Sequence, residues 1–213
     1  EHDRAVPLVT ICMATYEPKE EHLQAQIRSI QSQNYQNWNC IICDDNSSSE
    51  AADMINKFTS GDPRFQVIRN EENVGFYRNF ERCLRYVPRA SEFVALSDQD
   101  DEWYPNKIAR LLREFDDGTT LVYSDMRLVD NDSNPLNETY WSDRVNNYTD
   151  FDFLMIANTI TGAASIFRSN LIDKVLPIPT RIGDAYHDHW IALVALMAGT
   201  IKYVDEPLYS YRQ

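Results

Sequence analysis

The sequence lacks a long apolar stretch. No run of about 18 or more apolar residues occurs in its 213 positions, whereas a membrane-spanning helix needs about 20. The first residues, Glu1 to Arg4, do not resemble a signal peptide either. We therefore expect a soluble domain in the cytoplasm without a transmembrane segment, with peripheral attachment at the inner face of the membrane as a second option.

Positive charge is scarce. The chain has 20 lysines and arginines against 33 aspartates and glutamates, so its net charge is −13. An acidic surface of this kind excludes binding of nucleic acid or of an anionic membrane through the general surface. An anionic ligand would need local cations or a metal ion at its site.

Cysteine is scarce as well, with four residues in the chain. Cys40 and Cys43 form a Cys-x-x-Cys pattern inside an apolar segment typical of a strand. Side chains three apart on a strand face opposite sides, so this pattern favours structural thiols over a zinc or redox site.

What is present is a regular alternation of apolar strand patterns and amphipathic helix patterns. Strands are expected at residues 8–13, 39–43, 65–68, 92–96 and 120–123, and helices at residues 20–33, 50–58, 76–87 and 105–115. Such alternation predicts an α/β fold, a Rossmann-like three-layer α/β/α sandwich with a mostly parallel central sheet.

The pattern loosens in the second half. Residues 128–153 are polar and irregular, which is typical of a binding loop. Further strands are expected at residues 163–167, 201–204 and 208–213, with an apolar helix at residues 191–197. We expect one domain over residues 1–213, with two functional halves that meet near residue 125.

Polar clusters follow three of the predicted strands. They lie at residues 14–17, 44–47 and 97–100. Ligands of parallel α/β sheets bind beyond the carboxyl ends of the strands, so these clusters predict a ligand site on that edge. In the third cluster, Asp98 and Asp100 are two apart and project to the same side, where they could converge on one divalent cation. Relief of their repulsion by solvent alone is the alternative.

Taken in order, the motifs resemble an inverting family 2 glycosyltransferase of the GT-A fold, closest to a branch with many bacterial rhamnosyltransferases. The matching segments are residues 14–16, 44–47, 70–79, 97–107, 161–162, 187–190 and 211–213. They cover essentially the whole chain, and it is their order and spacing, more than any single motif, that is specific.

The resemblance implies a donor nucleotide site. Its residues would be Ala14, Thr15, Tyr16, Glu17, Asp45, Arg78, Ser97 and Asp98. Tyr16 offers an aromatic face, and Asp45 offers an acceptor for the imide N–H of uracil or thymine, which together would select a pyrimidine. Arg78 would offset diphosphate charge, with Lys107 and Arg212 as lesser candidates.

The resemblance also implies the chemistry. Asp100, with Asp98, would hold a Mn²⁺ or Mg²⁺ ion that bridges the diphosphate. Asp188 would be the general base for the acceptor hydroxyl. The residues expected at the acceptor or sugar are Thr161, Gly162 and Trp190. The implied partners are a dTDP-rhamnose or UDP-hexose donor and a glycan or lipid-linked glycan acceptor of bacterial surface polysaccharide synthesis.

Each role has a plainer alternative. Tyr16 could pack at a strand end, Asp45 could cap the helix that follows it, and Asp188 could cap the helix near residue 190. His187 and His189 could ligate a metal. The alternative functions are a sugar nucleotidyltransferase, an Asp-nucleophile phosphatase and a non-catalytic sugar-nucleotide or glycan-binding module.

Two features weigh against the first two alternatives, and two departures weaken the resemblance itself. The loop after the first strand has no glycine, unlike the phosphate loop of a nucleotidyltransferase, and the Asp-x-Asp follows a later strand than in a phosphatase. Glu17 stands where the family often has Asn, and the chain stops at Gln213 where relatives continue. We therefore expect a domain cut from a longer protein.

Overall fold

The computed structural model of the chain describes residues 6–142, 144–180 and 186–213. One curled sheet runs through these ranges. Its strands are β1 (Val9–Thr15), β2 (Trp38–Asp44), β3 (Phe65–Arg69), β4 (Phe93–Ser97), β5 (Glu102–Trp103), β6 (Thr119–Val129), β7 (Pro135–Asn137), β8 (Ser165–Arg168) and β9 (Thr200–Arg212). Their order is β3-β2-β1-β4-β8-β6-β9-β5, and β7 pairs with β6 off this path.

Seven α-helices occur in the same ranges. They are α1 (Glu20–Gln31), α2 (Ser49–Thr59), α3 (Gly75–Arg85), α4 (Lys107–Leu112), α5 (Phe151–Ile156), α6 (Ile172–Val175) and α7 (His187–Ala198). Helix α1 packs beside α2, and α3 packs beside α7 against the sheet. None of the helices described is long and apolar enough to cross a membrane.

The strand directions confirm a mostly parallel sheet. Strands β1 to β4 pair in parallel, and β6 and β9 run the same way. Strand β8 lies antiparallel between β4 and β6, while β5 and β7 pair antiparallel at β9 and β6. The central strands β1, β2 and β4 are apolar and buried along nearly their whole length, as strands covered on both faces must be.

The structure differs from the sequence prediction in the second half. The strand expected at residues 163–167 begins as a 3₁₀ turn, Gly162–Ala164, before β8. The strands expected at residues 201–204 and 208–213 are one strand, β9, because a register shift opposite Ser124 and Asp125 accommodates the polar residues between them. The irregular stretch at residues 128–153 includes β7 and the start of α5.

Strand order decides where the polar clusters meet. Strands β2, β1 and β4 are immediate neighbours and run in parallel, so their carboxyl ends lie side by side. The 3₁₀ turn packs against β4, and α7 packs against both that turn and α3. The start of α7 is thereby brought to the same edge of the sheet.

Candidate active site

A cleft of about 750 Å³ opens at this edge. Among the predicted site residues, those that line it are Ala14, Thr15, Tyr16, Asp45, Asp98, Asp100, Thr161 and Asp188. They come from the ends of β1, β2 and β4, from the segment before the 3₁₀ turn and from the first turn of α7. Residues more than 170 positions apart in sequence thus share one cavity.

Asp188 is held from two sides. Its Oδ2 accepts a hydrogen bond from the Gly162 backbone N–H at 2.8 Å, and its Oδ1 accepts one from Asn158 Nδ2 at 3.0 Å. Burial raises the pKa of Asp188 to about 6, and backbone hydrogen bonds oppose this rise. The carboxylate is therefore charged at neutral pH and more basic than an exposed aspartate, which suits it to accept a proton.

Asp98 lies in a concentration of negative charge. Burial, followed by the charges of Asp100 and Asp188, raises its pKa to about 7. The buried Lys107 opposes that rise. The Lys107 Nζ donates to the Ala163 carbonyl, so the 3₁₀ turn fixes its position near this site. Burial lowers the pKa of Lys107 to about 7, against the charges of Asp101 and Asp98.

The acidic pair fits a hard divalent cation. Asp98 and Asp100 offer carboxylate oxygens to the same cleft, and their mutual repulsion is the kind that a cation relieves. Within the described ranges, no group of three or more His, Cys, Asp or Glu residues is arranged to hold a metal alone. Mg²⁺ and Mn²⁺ are commonly bound by one or two carboxylates together with substrate phosphates. Asp98 and Asp100 would supply the carboxylates, and a bound diphosphate would supply the remaining oxygen ligands.

Asp45 fastens the start of helix α3. Its carboxylate accepts hydrogen bonds from Gly75 N at 2.8 Å, Val74 N at 2.9 Å and Asn70 Nδ2 at 2.8 Å. Helix α2, which directly follows, is capped by Ser48 instead. The Asp45 carboxylate therefore lines the cleft in a fixed orientation, with about one lone pair, on Oδ2, left for a ligand.

Tyr16 is exposed at the rim, with 52% of its surface accessible. Its backbone N–H donates to Gln99 Oε1 at 2.8 Å, and Gln99 Nε2 donates back to the Tyr16 carbonyl at 3.2 Å. This reciprocal pair ties the end of β1 to the acidic loop after β4. An exposed ring on a fixed backbone is available to stack on a ligand, and it is not a buried packing residue.

Five predicted site residues do not line the cleft. Gly162 reaches it through its hydrogen bond to Asp188. The other four make contacts elsewhere. Glu17 accepts a hydrogen bond from the Ser48 N–H, and Ser97 hydrogen-bonds the side chain of Gln26. Arg78 forms an ion pair with Glu81 and donates to the Ile178 carbonyl, and the Trp190 indole donates to the Val175 carbonyl. These polar groups are engaged in contacts that hold neighbouring segments together, so their ligand roles stay predictions.

Arg212 holds the acidic loop. Its Nε donates to the Asp100 carbonyl at 2.9 Å, and its Nη1 donates to the carbonyls of Asp130 at 2.9 Å and Asn131 at 3.0 Å. Arg212 lines the cleft, but these contacts occupy most of its donors. Its geometry is that of a clamp between β4, β6 and β9.

The two histidines do not converge. The ring of His187 stacks on Phe80 with centroids 3.8 Å apart, whereas His189 Nε2 hydrogen-bonds the Leu154 carbonyl. A shared metal site is therefore not formed by this pair.

Several cleft residues were given no individual role in the sequence prediction, although Phe76 and Tyr211 lie in matched segments. They are Phe76, Phe80, Tyr140, Asn158 and Tyr211. Asn158 lies in an irregular stretch and is recognisable only through its contact with Asp188. Asn79, which also lines the cleft, was part of the matched segment at residues 70–79, but its contact with Asn70 needs the folded chain.

Comparison with solved structures defines the class of fold. The mannosyltransferase PcManGT from Pyrobaculum calidifontis, solved with GDP-Man and Mn²⁺, superposes with a TM-score of 0.73 at 16% identity, covering 98% of this chain and 57% of that one. S. aureus TarS 1-349 in complex with UDP-GlcNAc gives a TM-score of 0.73 at 17% identity, covering 96% and 58%. The domain has a GT-A-like α/β fold.

The sequence itself gives the family. Residues 10–176 match glycosyl transferase family 2, and the chain belongs to that family. A relative is the E. coli protein WfgD, named as a UDP-Glc:alpha-D-GlcNAc-diphosphoundecaprenol beta-1,3-glucosyltransferase, which is 29% identical over 127 residues. The match covers 59% of this chain and spans 48% of WfgD. The finer resemblance to a rhamnosyltransferase branch stays a prediction.

Proposed function

We propose that this domain transfers a hexose from a pyrimidine nucleoside diphosphate donor, a UDP-hexose or dTDP-rhamnose, to a hydroxyl of a glycan or lipid-linked glycan, with inversion at the anomeric carbon. The observation that carries the proposal is a half-buried carboxylate, Asp188, hydrogen-bonded on both oxygens and with its pKa raised to about 6, in the same cleft as the acidic pair Asp98 and Asp100.

The roles divide between the two halves of the chain. The first half would bind the donor, with Tyr16 against the base and Asp45 accepting from its imide N–H. The second half would bind the acceptor and supply Asp188. The name of WfgD, with a UDP-glucose donor and a lipid diphosphate acceptor, and the UDP-GlcNAc bound to TarS support this choice of substrates.

In the proposed reaction, Asp188 accepts the proton of the acceptor hydroxyl while that oxygen forms a bond to the anomeric carbon. The bond from this carbon to the diphosphate oxygen breaks, and the nucleoside diphosphate leaves with the electron pair. Asn158 and Gly162 orient the carboxylate toward the incoming hydroxyl. A divalent cation held by Asp98 and Asp100 would neutralise charge on the leaving diphosphate. The Mn²⁺ in the PcManGT structure supports that assignment.

The donor site is tested by calorimetry. UDP, dTDP, GDP and CMP are titrated with and without Mn²⁺ into the unmodified chain, into Asp100→Ala and into a control, Asp117→Ala, whose carboxylate is exposed outside the cleft. We expect UDP or dTDP to bind in a metal-dependent way that Asp100→Ala abolishes and Asp117→Ala preserves. Nucleotide affinity that is the same with and without Mn²⁺ would contradict the assignment of Asp98 and Asp100 as metal ligands.

The base is tested by transfer assays with a radiolabelled donor. Asp188→Ala should keep nucleotide binding and lose transfer by at least about a thousandfold. Transfer by Asp188→Ala at the parent rate would show that Asp188 is not the general base. In a separate assay with a nucleoside triphosphate and a sugar 1-phosphate, release of pyrophosphate would point instead to a sugar nucleotidyltransferase. Binding without any turnover would point to a glycan-binding module.

A further inference from the structure

His187 is a buried polar residue that the proposed reaction leaves without a role. It opens helix α7, directly before Asp188, and only 6% of its surface is exposed. One face of its ring stacks on Phe80 at 3.8 Å between centroids and 17° between planes. The ring is therefore fixed in position by an aromatic partner and still lines the cleft.

Both ring nitrogens of His187 lack a hydrogen-bond partner within the part of the chain that the structure describes. Leaving a buried donor or acceptor unsatisfied destabilises the fold, and most such groups in proteins have a hydrogen-bond partner. A histidine kept only for its shape could be replaced by an aromatic residue without that cost. The unpaired nitrogens point to a ligand that completes them.

The position of the ring indicates which part of a ligand it meets. Gly162 lies close to both side chains, since a Cβ there would be 3.3 Å from His187 Nε2 and 3.1 Å from Asp188 Cβ. The imidazole edge therefore borders the same small space as the base. Tyr16 and Asp45, where the nucleotide would bind, lie instead at the ends of β1 and β2.

The charge of the ring indicates which chemical group of a ligand it would bind. Burial lowers the pKa of His187 to about 3, so the imidazole is neutral at pH 7. A neutral ring has one donor and one acceptor, and it does not supply the positive charge that favours a phosphate. A sugar hydroxyl can both donate and accept, so it complements either nitrogen.

We propose that His187 is a specificity-determining residue that hydrogen-bonds a hydroxyl of the donor sugar beside the reacting carbon. This rests on the proposed function, because it requires a sugar nucleotide in the cleft. It assigns to His187 the recognition of the sugar, separate from recognition of the base and the diphosphate.

The test compares two affinities in each variant. UDP, dTDP, UDP-glucose, UDP-N-acetylglucosamine and dTDP-rhamnose are titrated with Mn²⁺, and the affinity gained from the sugar is the ratio between the best-bound sugar nucleotide and its parent diphosphate. His187→Phe keeps the stack on Phe80 and removes both nitrogens. His187→Asn keeps a donor and an acceptor in a smaller side chain.

We expect His187→Phe to bind the diphosphate within about twofold of the parent and to weaken the sugar nucleotide by about tenfold. His187→Asn should recover part of that loss. His22→Phe, which alters a buried histidine bonded to the Asn131 carbonyl, is the control and should change both affinities by the same factor.

Equal changes for diphosphate and sugar nucleotide in His187→Phe, or no change, would overturn the proposal and leave the ring a packing residue or an acceptor contact. A sugar that adds no affinity in the unmodified chain would overturn it as well. Failure of the unmodified chain to bind any of these nucleotides would instead overturn the proposed function, and the inference with it.

Discussion

Asn158 donates a hydrogen bond to Oδ1 of Asp188 at 3.0 Å, across 30 residues of sequence. The orientation of its amide is set locally, because Asn158 Oδ1 accepts from the Ile160 N–H at 3.0 Å and Nδ2 also donates to the Ile160 carbonyl at 3.1 Å. The donor therefore faces the charged form of the carboxylate, which it stabilises.

Removal of this contact should alter the pH dependence of catalysis. In Asn158→Ala the charged carboxylate loses a donor, so the pKa of Asp188 should rise above its present value of about 6. We expect the acidic limb of the kcat/KM profile to move to higher pH by about one pH unit and kcat at pH 7 to fall about twofold, as the deprotonated fraction of the base falls. The profile is measured from pH 5 to 9 against Asn170→Ala, an exposed control. Superimposable profiles would show that Asn158 does not tune the base.

Gly162 should tolerate no side chain. A Cβ there would meet Asp188 Cβ at 3.1 Å, Leu96 Cδ1 at 3.2 Å and His187 Nε2 at 3.3 Å, so all three neighbours would have to move. We expect Gly162→Ala to destabilise the fold by about 1–3 kcal/mol and to lower kcat by about tenfold or more through displacement of Asp188.

The matched control for that change is Gly61→Ala, where a Cβ would meet nothing within 4 Å. Thermal unfolding and steady-state kinetics are measured on both variants. Activity and unfolding temperature of Gly162→Ala at the level of Gly61→Ala would contradict the crowding argument.

Replacement of Arg212 should weaken metal binding rather than nucleotide binding. Arg212→Lys keeps the charge, but a single ammonium cannot reach the carbonyls of Asp100, Asp130 and Asn131 together in the fork geometry of a guanidinium. The acidic loop should loosen, and the Mn²⁺ concentration for half-maximal activity should rise about tenfold. Arg113→Lys, at an exposed position, is the control. An unchanged metal requirement would argue against the clamp.

His187 should make stability depend on pH. Its pKa is lowered by burial from 6.5 to about 3, so between these values the unfolded chain binds a proton at this residue that the folded chain does not. The contribution of His187 to the free energy of unfolding has its full value above pH about 6.5. It decreases as the pH falls, by up to about 1.4 kcal/mol per pH unit.

The measurement is urea unfolding of the parent and of His187→Phe at pH 7, 6 and 5. The difference between the two free energies of unfolding should shift in favour of His187→Phe as the pH falls. The raised pKa of Asp98, about 7, acts in the opposite direction, but it is present in both proteins and cancels in the difference. Parallel curves would mean that the ring accepts a proton in the folded state.

The sequence predicted the first half of the fold well for a physical reason. Strands β1, β2 and β4 are buried on both faces, so they are continuous apolar runs, and the helices between them carry one apolar stripe each. The second half gave weaker signals. Asp205 and Pro207 indicated a break, whereas pairing with β6 carries β9 straight through them.

The site was predictable where its residues follow those strands, as for Asp45, Asp98 and Asp100. It was not predictable where the arrangement of the cleft depends on a contact between irregular segments. Asn158 approaches Asp188 from 30 residues away, and no local pattern encodes that contact. Gly162 was predicted at the site, but its hydrogen bond to Asp188 was not. For Arg78 the sequence predicted a contact with the diphosphate, whereas in the fold its guanidinium forms an ion pair with Glu81.

Strand β9 also bears on how this domain can be divided. The family match ends at residue 176, before α7 and β9 begin. A shorter expression boundary drawn there would omit Asp188 and Arg212 and would strip β6 of its partner from Thr119 to Val129. The bare edge would be long and apolar, a template for intermolecular strand pairing, so such a fragment should aggregate rather than serve as a minimal donor-binding unit.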